Sequence, residues 1–123
     1  MRKLVWKYIK KLENMNAIEE FLNEKKIELP ISLIEFLKEN NGGRPSEKTF
    51  NTDCSKEYVF KALLSYNEDD AENIYTIYAS VFENTKFYPI GMDASGNFIC
   101  YDLTDKQYIL LKHETDKVEN IIV

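Results

Sequence analysis

The stretch FYPIGMDASGNFICYDL, residues 87–103, determines how the rest of the chain is arranged. It consists of two apolar runs on either side of Asp93-Ala94-Ser95-Gly96. Asp93 can open a turn by accepting hydrogen bonds from backbone amides, and Gly96 supplies the positive φ that closes it. Because the gap between the two runs is short, the stretch predicts a β-hairpin.

The second arm of this hairpin is apolar on both sides. Strand side chains alternate, so Phe98 and Cys100 point to one side. The side chains of Ile99, Tyr101 and Leu103 point to the other. We therefore expect an interior strand that is covered on both faces. The rest of the chain should pack around it.

The composition indicates one globular domain, residues 1–123. The chain is 44% hydrophobic and 13% aromatic, and a chain of this length can bury a self-sufficient core. Lys+Arg 16 against Asp+Glu 21 gives a net charge of −5, which disfavours nucleic-acid binding and suits a basic protein partner.

No secretory signal and no run long enough to span a bilayer is evident, so we expect a cytoplasmic protein with no membrane partner. The two cysteines, Cys54 and Cys100, allow one disulfide, but reduced thiols fit the cytosol better.

The first third of the chain predicts helices. Apolar residues at helical spacing predict an amphipathic helix over residues 3–13. Asn16 followed by Glu19 is typical of a capping box, which starts a second helix. Leu29-Pro30 opens a third helix, and Asn41-Gly42-Gly43 ends it, because glycine can adopt the left-handed cap.

The remainder of the chain predicts mostly strands. Residues 44–57 are polar, with at most a short strand near Phe50, and residues 58–65 form a β-type run. Two further strands are predicted at 108–112 and 118–123. An inserted helix places four apolar residues on one face: Ile74, Ile77, Tyr78 and Val81. The expected class is α+β, with N-terminal helices packed on a mostly antiparallel sheet, one inserted helix and a central hairpin at about 87–103.

The sequence shows no catalytic, metal-binding or cofactor-binding pattern. His113 is the only histidine, and its place at a predicted strand end favours a solvated or strand-capping role. Cys54, Cys100 and His113 lack the spacing of zinc ligands. The acidic run at residues 68–72 allows two interpretations: a solvated helix start, or a patch that binds a partner.

Several motifs, in this order along the chain, resemble the SUKH superfamily. They are Ile18-Glu19-Glu20-Phe21-Leu22, Leu29-Pro30, Asn41-Gly42-Gly43 with Pro45, and Pro89-Ile90-Gly91-Met92-Asp93 with Gly96-Asn97. The resemblance spans residues 16–123 and covers a superfamily that includes the fungal cell-wall-synthesis regulator family and many bacterial immunity proteins. Its members usually continue into a C-terminal helix, whereas this sequence ends at Ile121-Ile122-Val123. Either that helix is absent, or another surface covers this edge of the sheet.

The resemblance implies a non-enzymatic immunity protein (an antitoxin), acting as a monomer or homodimer. Such a protein binds and neutralises a cognate bacterial toxin, and the basic surface of a nuclease toxin would complement the negative charge of this chain. The expected contact residues are the rim charges Glu68, Asp69, Asp70 and Glu72, with Asp93 and Asp102 as lesser candidates. For Asp93 the alternative is a role in holding the turn. Two rival hypotheses are a regulatory adaptor that binds a cellular protein or peptide, and an enzyme that uses His113 with a carboxylate.

Overall fold

The computed structural model describes residues 5–46, 48–54 and 57–122. The helices are α1 (Ala17–Lys25), α2 (Ile31–Glu39) and α3 (Ile74–Ile77), and a π-helical turn, Tyr78–Phe82, continues the last of them. The strands are β1 (Trp6–Lys7), β2 (Arg44–Pro45), β3 (Thr49–Thr52), β4 (Tyr58–Leu63), β5 (Phe87–Asp93), β6 (Phe98–Asp102), β7 (Tyr108–Leu111) and β8 (Val118–Ile122). The predicted α+β class, with helices before the main sheet and one inserted helix, is confirmed.

The central hairpin forms as predicted, from β5 and β6. The two strands pair antiparallel, with Phe87 opposite Asp102 at one end and Met92 opposite Phe98 at the other. Gly96 has a φ of 86°, which is the left-handed conformation that the turn requires. The hairpin is therefore set by local sequence.

The main sheet is antiparallel and closes on itself through β3. Strands β3 to β8 follow one another in chain order, and β3 also pairs with β8. The first half of β3 lies along β4, with Phe50 opposite Tyr58, and the second half lies along β8, with Thr52 opposite Ile121. The edge of β8 is thus covered by a strand from earlier in the chain.

Strand β6 is covered on both faces, as predicted. The ring of Phe98 packs edge-on against Phe82 of the π-helical turn, with ring centroids 5.1 Å apart. The next residue, Ile99, points to the opposite side and lines a cleft together with Leu33 and Phe36 of α2. Both Ile99 and Cys100 are buried. Cys100 and the exposed Cys54 are free thiols, so the disulfide alternative is not realised.

Gly91 allows β4 and β5 to approach closely. A Cβ atom at this position would lie 2.9 Å from the ring of Phe60 and 3.0 Å from the backbone oxygen of Ala62. Both strands have a register irregularity beside this contact, between Pro89 and Gly91 in β5 and between Phe60 and Ala62 in β4. Glycine is needed here for close packing, because any side chain would push the two strands apart.

The predicted helix over residues 3–13 is wrong for the part that the structure describes, residues 5–13; residues 3–4 lie outside the described ranges. Trp6–Lys7 is a short strand, Tyr8 adopts a left-handed conformation with a φ of 56°, and the rest of this segment is irregular. Its β1 pairs with β2, and the backbone N–H of Lys10 donates to the backbone oxygen of Asn41. The side chain of Asn41, which is 1% exposed, donates back to the backbone oxygen of Lys10 at 2.8 Å. These distant hydrogen bonds outweigh the weak local preference for a helix.

Candidate protein-binding surface

An acidic cleft of about 370 Å³ lies between α1 and the loop that follows β4. Five carboxylates line it: Glu13, Glu20, Glu24, Glu68 and Asp69. None of its described lining residues is a lysine or an arginine, and none of the five acids forms a salt bridge with a residue in the described ranges. We call this site the acidic cleft.

Helix α1 supplies one wall of the acidic cleft. Glu20 and Glu24 are four residues apart, so they project from the same face of the helix. The side-chain amide of Asn14 donates to Glu20 Oε1 at 2.9 Å. The capping box predicted from Asn16 is not formed, because Asn16 makes no side-chain hydrogen bond at the helix start. Asn14 therefore orders the first turn and fixes one acid of the cleft.

The buried side chain of Asn67 joins the second wall to the N-terminal segment. Its Oδ1 accepts from the backbone N–H of Glu13 at 2.9 Å, and its Nδ2 donates to the backbone oxygen of Lys11 at 2.9 Å. Glu68 and Asp69 follow directly in the same loop, and both are exposed. Asn67 thus brings Glu13 beside two acids that are more than fifty residues away in sequence.

The floor of the acidic cleft is aromatic. The ring of Phe21 packs edge-on against Tyr75, with centroids 5.5 Å apart, and against Tyr66 at 6.1 Å. The hydroxyl of Tyr75 donates to the backbone oxygen of Tyr66 at 3.0 Å, and the hydroxyls of Tyr66 and Tyr88 are 2.5 Å apart. The polar tips of these rings are satisfied within the protein, and Phe21 and Tyr66 are buried, so the half-buried ring of Tyr75 is the aromatic surface that a partner can reach.

The electrostatic character of the cleft is visible in the pKa of Tyr75. Burial raises this pKa, and the nearby carboxylates of Glu68, Glu20 and Glu24 raise it further. Negative charge disfavours the formation of a tyrosinate, so the part of the pKa increase that the carboxylates cause reflects a negative field at the hydroxyl. Carboxylates from both walls of the cleft therefore act on the hydroxyl of Tyr75.

The acids at 68–72, which were predicted to contact a partner, fall into two groups in the structure. Glu68 and Asp69 belong to the acidic cleft, whereas the next acids are engaged elsewhere. Asp70 Oδ2 accepts from the hydroxyl of Ser65 at 2.5 Å, and Glu72 Oε2 lies 2.7 Å from Lys61 Nζ. Both are half-buried, so they offer less free charge to a partner.

Asp93 and Asp102, the lesser candidates, are buried turn residues. Asp93 is 1% exposed, and its carboxylate accepts from the backbone N–H groups of Ser95 and Asn97. This corresponds to the alternative role considered for Asp93, that of holding the hairpin turn. We correct the expected contact set accordingly, because neither carboxylate is accessible to a partner.

Asp102 holds the turn between β6 and β7 and is 3% exposed. Burial alone would raise the pKa of its carboxyl group. Hydrogen bonds from the backbone N–H groups of Asp105 and Thr104, together with the ammonium group of Lys86, outweigh burial and lower that pKa. The ionised form of Asp102 is therefore the one that stabilises this turn.

Replacing Asp102 with asparagine should reduce stability most at neutral pH. A pKa that is lower in the folded state gives stability that is fully present above the unfolded value of about 3.9 and is lost as the pH falls through the folded value. In urea unfolding between pH 7 and pH 3, the difference between wild type and Asp102→Asn should shrink at the acid end. Asp69→Asn is the control, since Asp69 is exposed and forms no salt bridge with a residue in the described ranges. A pH-independent loss for Asp102→Asn would contradict this account.

Three acids of the cleft, Glu13, Glu20 and Glu24, were not predicted from the sequence. The spacing of Glu20 and Glu24 was a usable signal, because two acids four residues apart on an amphipathic helix share one solvent face. Glu13 gave no such signal, since Asn67 places it through tertiary hydrogen bonds. The cleft is therefore a property of the folded chain as much as of the acidic run.

His113 lines an open cleft of about 520 Å³ with Lys112, Glu114 and Glu119, but within the described residues no hydrogen bond or salt bridge joins its imidazole to either acid. His113 is exposed, beyond the end of β7, and its backbone N–H donates to Asn97 Oδ1 at 3.2 Å. Within residues 5–46, 48–54 and 57–122, no three side chains of His, Cys, Asp or Glu gather in a way that could hold a metal ion. Across the same ranges, none of the helices has the length and apolar character that crossing a bilayer requires.

Comparison with known proteins identifies a family. No curated protein and no solved structure matches the chain significantly. The sequence profile of the SMI1 / KNR4 family (SUKH-1) matches residues 13–121, which include both helices of the N-terminal half, the closed sheet and every residue of the acidic cleft. The chain belongs to the SMI1 / KNR4 (SUKH-1) family.

Proposed function

We propose that this protein is an immunity protein that binds a cognate bacterial toxin and neutralises it by covering a basic part of the toxin's surface. The acidic cleft is the observation that carries the proposal, because it combines an aromatic floor with carboxylates that form no salt bridge within the described part of the chain. Membership of the SUKH-1 family supports a protein partner. The proposed function needs neither a cofactor nor a catalytic residue.

The charge of the cleft favours a basic partner. Exposed carboxylates keep their hydration until a partner arrives, and a concentrated negative field speeds the encounter with positive charge. Toxins that cleave nucleic acids need a basic surface to bind phosphates. An inhibitor that presents Glu20, Glu24 and Glu68 together would compete for that surface.

The aromatic floor favours lysine or arginine side chains as the groups that enter the cleft. Their aliphatic stems can lie on the half-buried ring of Tyr75, while their charged ends reach the carboxylates at the rim. A cation close to an aromatic face also gains an electrostatic attraction. One narrow site can thus supply apolar contact and ion pairing at the same time.

Removing charge from the acidic cleft should weaken the complex. The test co-expresses the protein with a candidate toxin whose gene neighbours its own, and measures growth rescue and association kinetics at several salt concentrations. Glu20→Gln/Glu24→Gln should slow association by roughly tenfold at low salt and reduce its salt dependence. Glu68→Gln/Asp69→Asn should act in the same direction.

Helix α2 offers a matched control. Glu35 and Glu39 are also exposed acids four residues apart on a helix, but they lie outside the acidic cleft. Glu35→Gln/Glu39→Gln removes the same net charge, and we expect nearly normal association. Equal effects of the two helix variants would show that only net charge matters, and absence of both rescue and complex would refute the proposal.

A regulatory adaptor bound to a cellular protein or peptide is the alternative. It would use the same cleft, so charge variants alone do not separate the two functions. Recovery of a host protein instead of a toxin in pull-downs, with binding lost in Glu20→Gln/Glu24→Gln, would favour the adaptor.

A further inference from the structure

A second cleft, of about 380 Å³, lies between α2, β1 and the closed sheet. Its walls are mainly aromatic and branched apolar side chains. The ring of Trp6 packs edge-on against Phe36 of α2, with centroids 5.3 Å apart, and against Phe60 of β4 at 5.7 Å. Ile99 of β6 and Ile121 of β8 line the cleft from the sheet. We call this site the apolar cleft.

The apolar cleft has almost no polar character. Among its described lining residues, Ser32 and Tyr108 alone carry a side-chain hydroxyl, and none is charged. Neither hydroxyl makes a side-chain hydrogen bond with another residue in the described ranges, so both remain available to a ligand. A charged ligand would lose its hydration here without gaining a counter-ion, which is strongly unfavourable.

The volume of the apolar cleft indicates which kind of ligand can occupy it. Its volume lies at the lower end of the range of about 300–1,000 Å³ that is typical of small-molecule sites. A stable interface with a second copy buries roughly 800 Å² on each partner, so it would have to extend well beyond the residues that line this cleft, whereas a small molecule can be held by them alone. Its walls come from many different elements, so the concavity is part of the fold itself.

We propose that the apolar cleft binds a compact, uncharged, largely apolar small molecule, with at most one or two hydrogen-bonding groups placed near Ser32 and Tyr108. The driving force is the removal of apolar surface from water, on both the ligand and the cleft. This site shares no lining residue with the acidic cleft, so the proposal is independent of toxin binding.

The test uses N-phenylnaphthylamine, an uncharged dye whose fluorescence rises in apolar surroundings. Titration should show saturable binding of one dye molecule per chain, and an uncharged aliphatic alcohol such as decanol should displace it. Ser32→Trp should block the cleft from an exposed position on α2 and weaken dye binding by at least roughly tenfold. Its matched control is Ile31→Trp, the adjacent residue, which is 73% exposed and does not line the cleft.

Each outcome of this test bears on the proposal. Circular dichroism first confirms that both tryptophan variants are folded; if Ser32→Trp is not, Tyr108→Phe replaces it and should weaken displacement by decanol more than binding of the dye. Absence of dye binding, or equal binding to Ser32→Trp and Ile31→Trp, would overturn the proposal. Sedimentation that shows a dimer in wild type and a monomer in Ser32→Trp would also overturn it, because a second copy would then be the occupant.

Discussion

Replacing Asp93 with alanine should lower the free energy of unfolding by about 3 kcal/mol, because buried donors would lose a charged acceptor. The carboxylate of Asp93 accepts from the backbone N–H of Ser95 at 3.0 Å, and from the backbone and side-chain N–H groups of Asn97, both at 2.8 Å. Asn97 is itself only 4% exposed, so water cannot readily replace the lost acceptor. Urea unfolding followed by circular dichroism measures the change.

Asparagine at position 93 separates the loss of the negative charge from the loss of the hydrogen-bond acceptor. Its side-chain oxygen can still accept from the backbone N–H groups of Ser95 and Asn97, but its NH₂ group would face the NH₂ group of Asn97. Asp93→Asn should therefore lose less stability than Asp93→Ala. Asp69→Ala is the control on an exposed acid and should stay within about 0.5 kcal/mol of wild type. If Asp93→Ala and Asp69→Ala unfold at the same urea concentration, Asp93 does not hold the turn.

The parts of the fold that the sequence predicts well are those whose determinants are local. The hairpin turn depends on Asp93 and Gly96, which are three residues apart, and the structure confirms it. Gly42 also adopts a left-handed conformation, with a φ of 66°, but it lies three residues beyond the end of α2, whose C-cap is Asn40 with a φ of −120°. In both cases the residue type and the backbone conformation are linked within one turn of chain.

The failure at the N-terminus has a non-local cause. Residues 5–13 have apolar side chains at helical spacing, yet Tyr8 is 76% exposed and Val5 is 56% exposed. The backbone of this non-helical segment is held by Asn41 and Asn67, which contact it from 31 to 56 residues away in sequence. Helical spacing describes which side a helix would bury, but it carries no information about distant amide groups that compete for the same backbone.

The candidate site was predictable only in part, for the same reason. Exposed acids in a loop, such as Glu68 and Asp69, can be recognised as surface charge from the sequence. Whether an acid stays free depends on neighbours that the fold supplies, as the pairing of Glu72 with Lys61 shows. Whether an acid is buried also depends on the fold. Asp102 is 3% exposed and so is not accessible to a partner, although aspartate is a residue type that usually lies at the surface.

Replacing Phe21 with alanine should have the largest effect of these substitutions, lowering the free energy of unfolding by about 4 kcal/mol. Phe21 is 3% exposed. Its ring centroid lies 5.4–6.4 Å from those of four tyrosines: Tyr66, Tyr75, Tyr78 and Tyr88. Alanine would remove the apolar burial, leave a cavity and break four edge-on ring contacts. Thermal and urea unfolding, monitored by circular dichroism, give the magnitude.

Leucine at position 21 tests whether the ring or the volume matters. Phe21→Leu keeps most of the buried volume but loses the aromatic contacts, so its loss should be below about 1.5 kcal/mol. Because Phe21 supports the ring of Tyr75 from beneath the acidic cleft, Phe21→Leu should weaken toxin binding while the protein remains folded, whereas Phe21→Ala combines both losses. Ile31→Ala, at an exposed position on α2, is the control and should change neither quantity. A stability loss for Phe21→Ala no larger than that for Ile31→Ala would show that this ring does not organise the core beneath the acidic cleft.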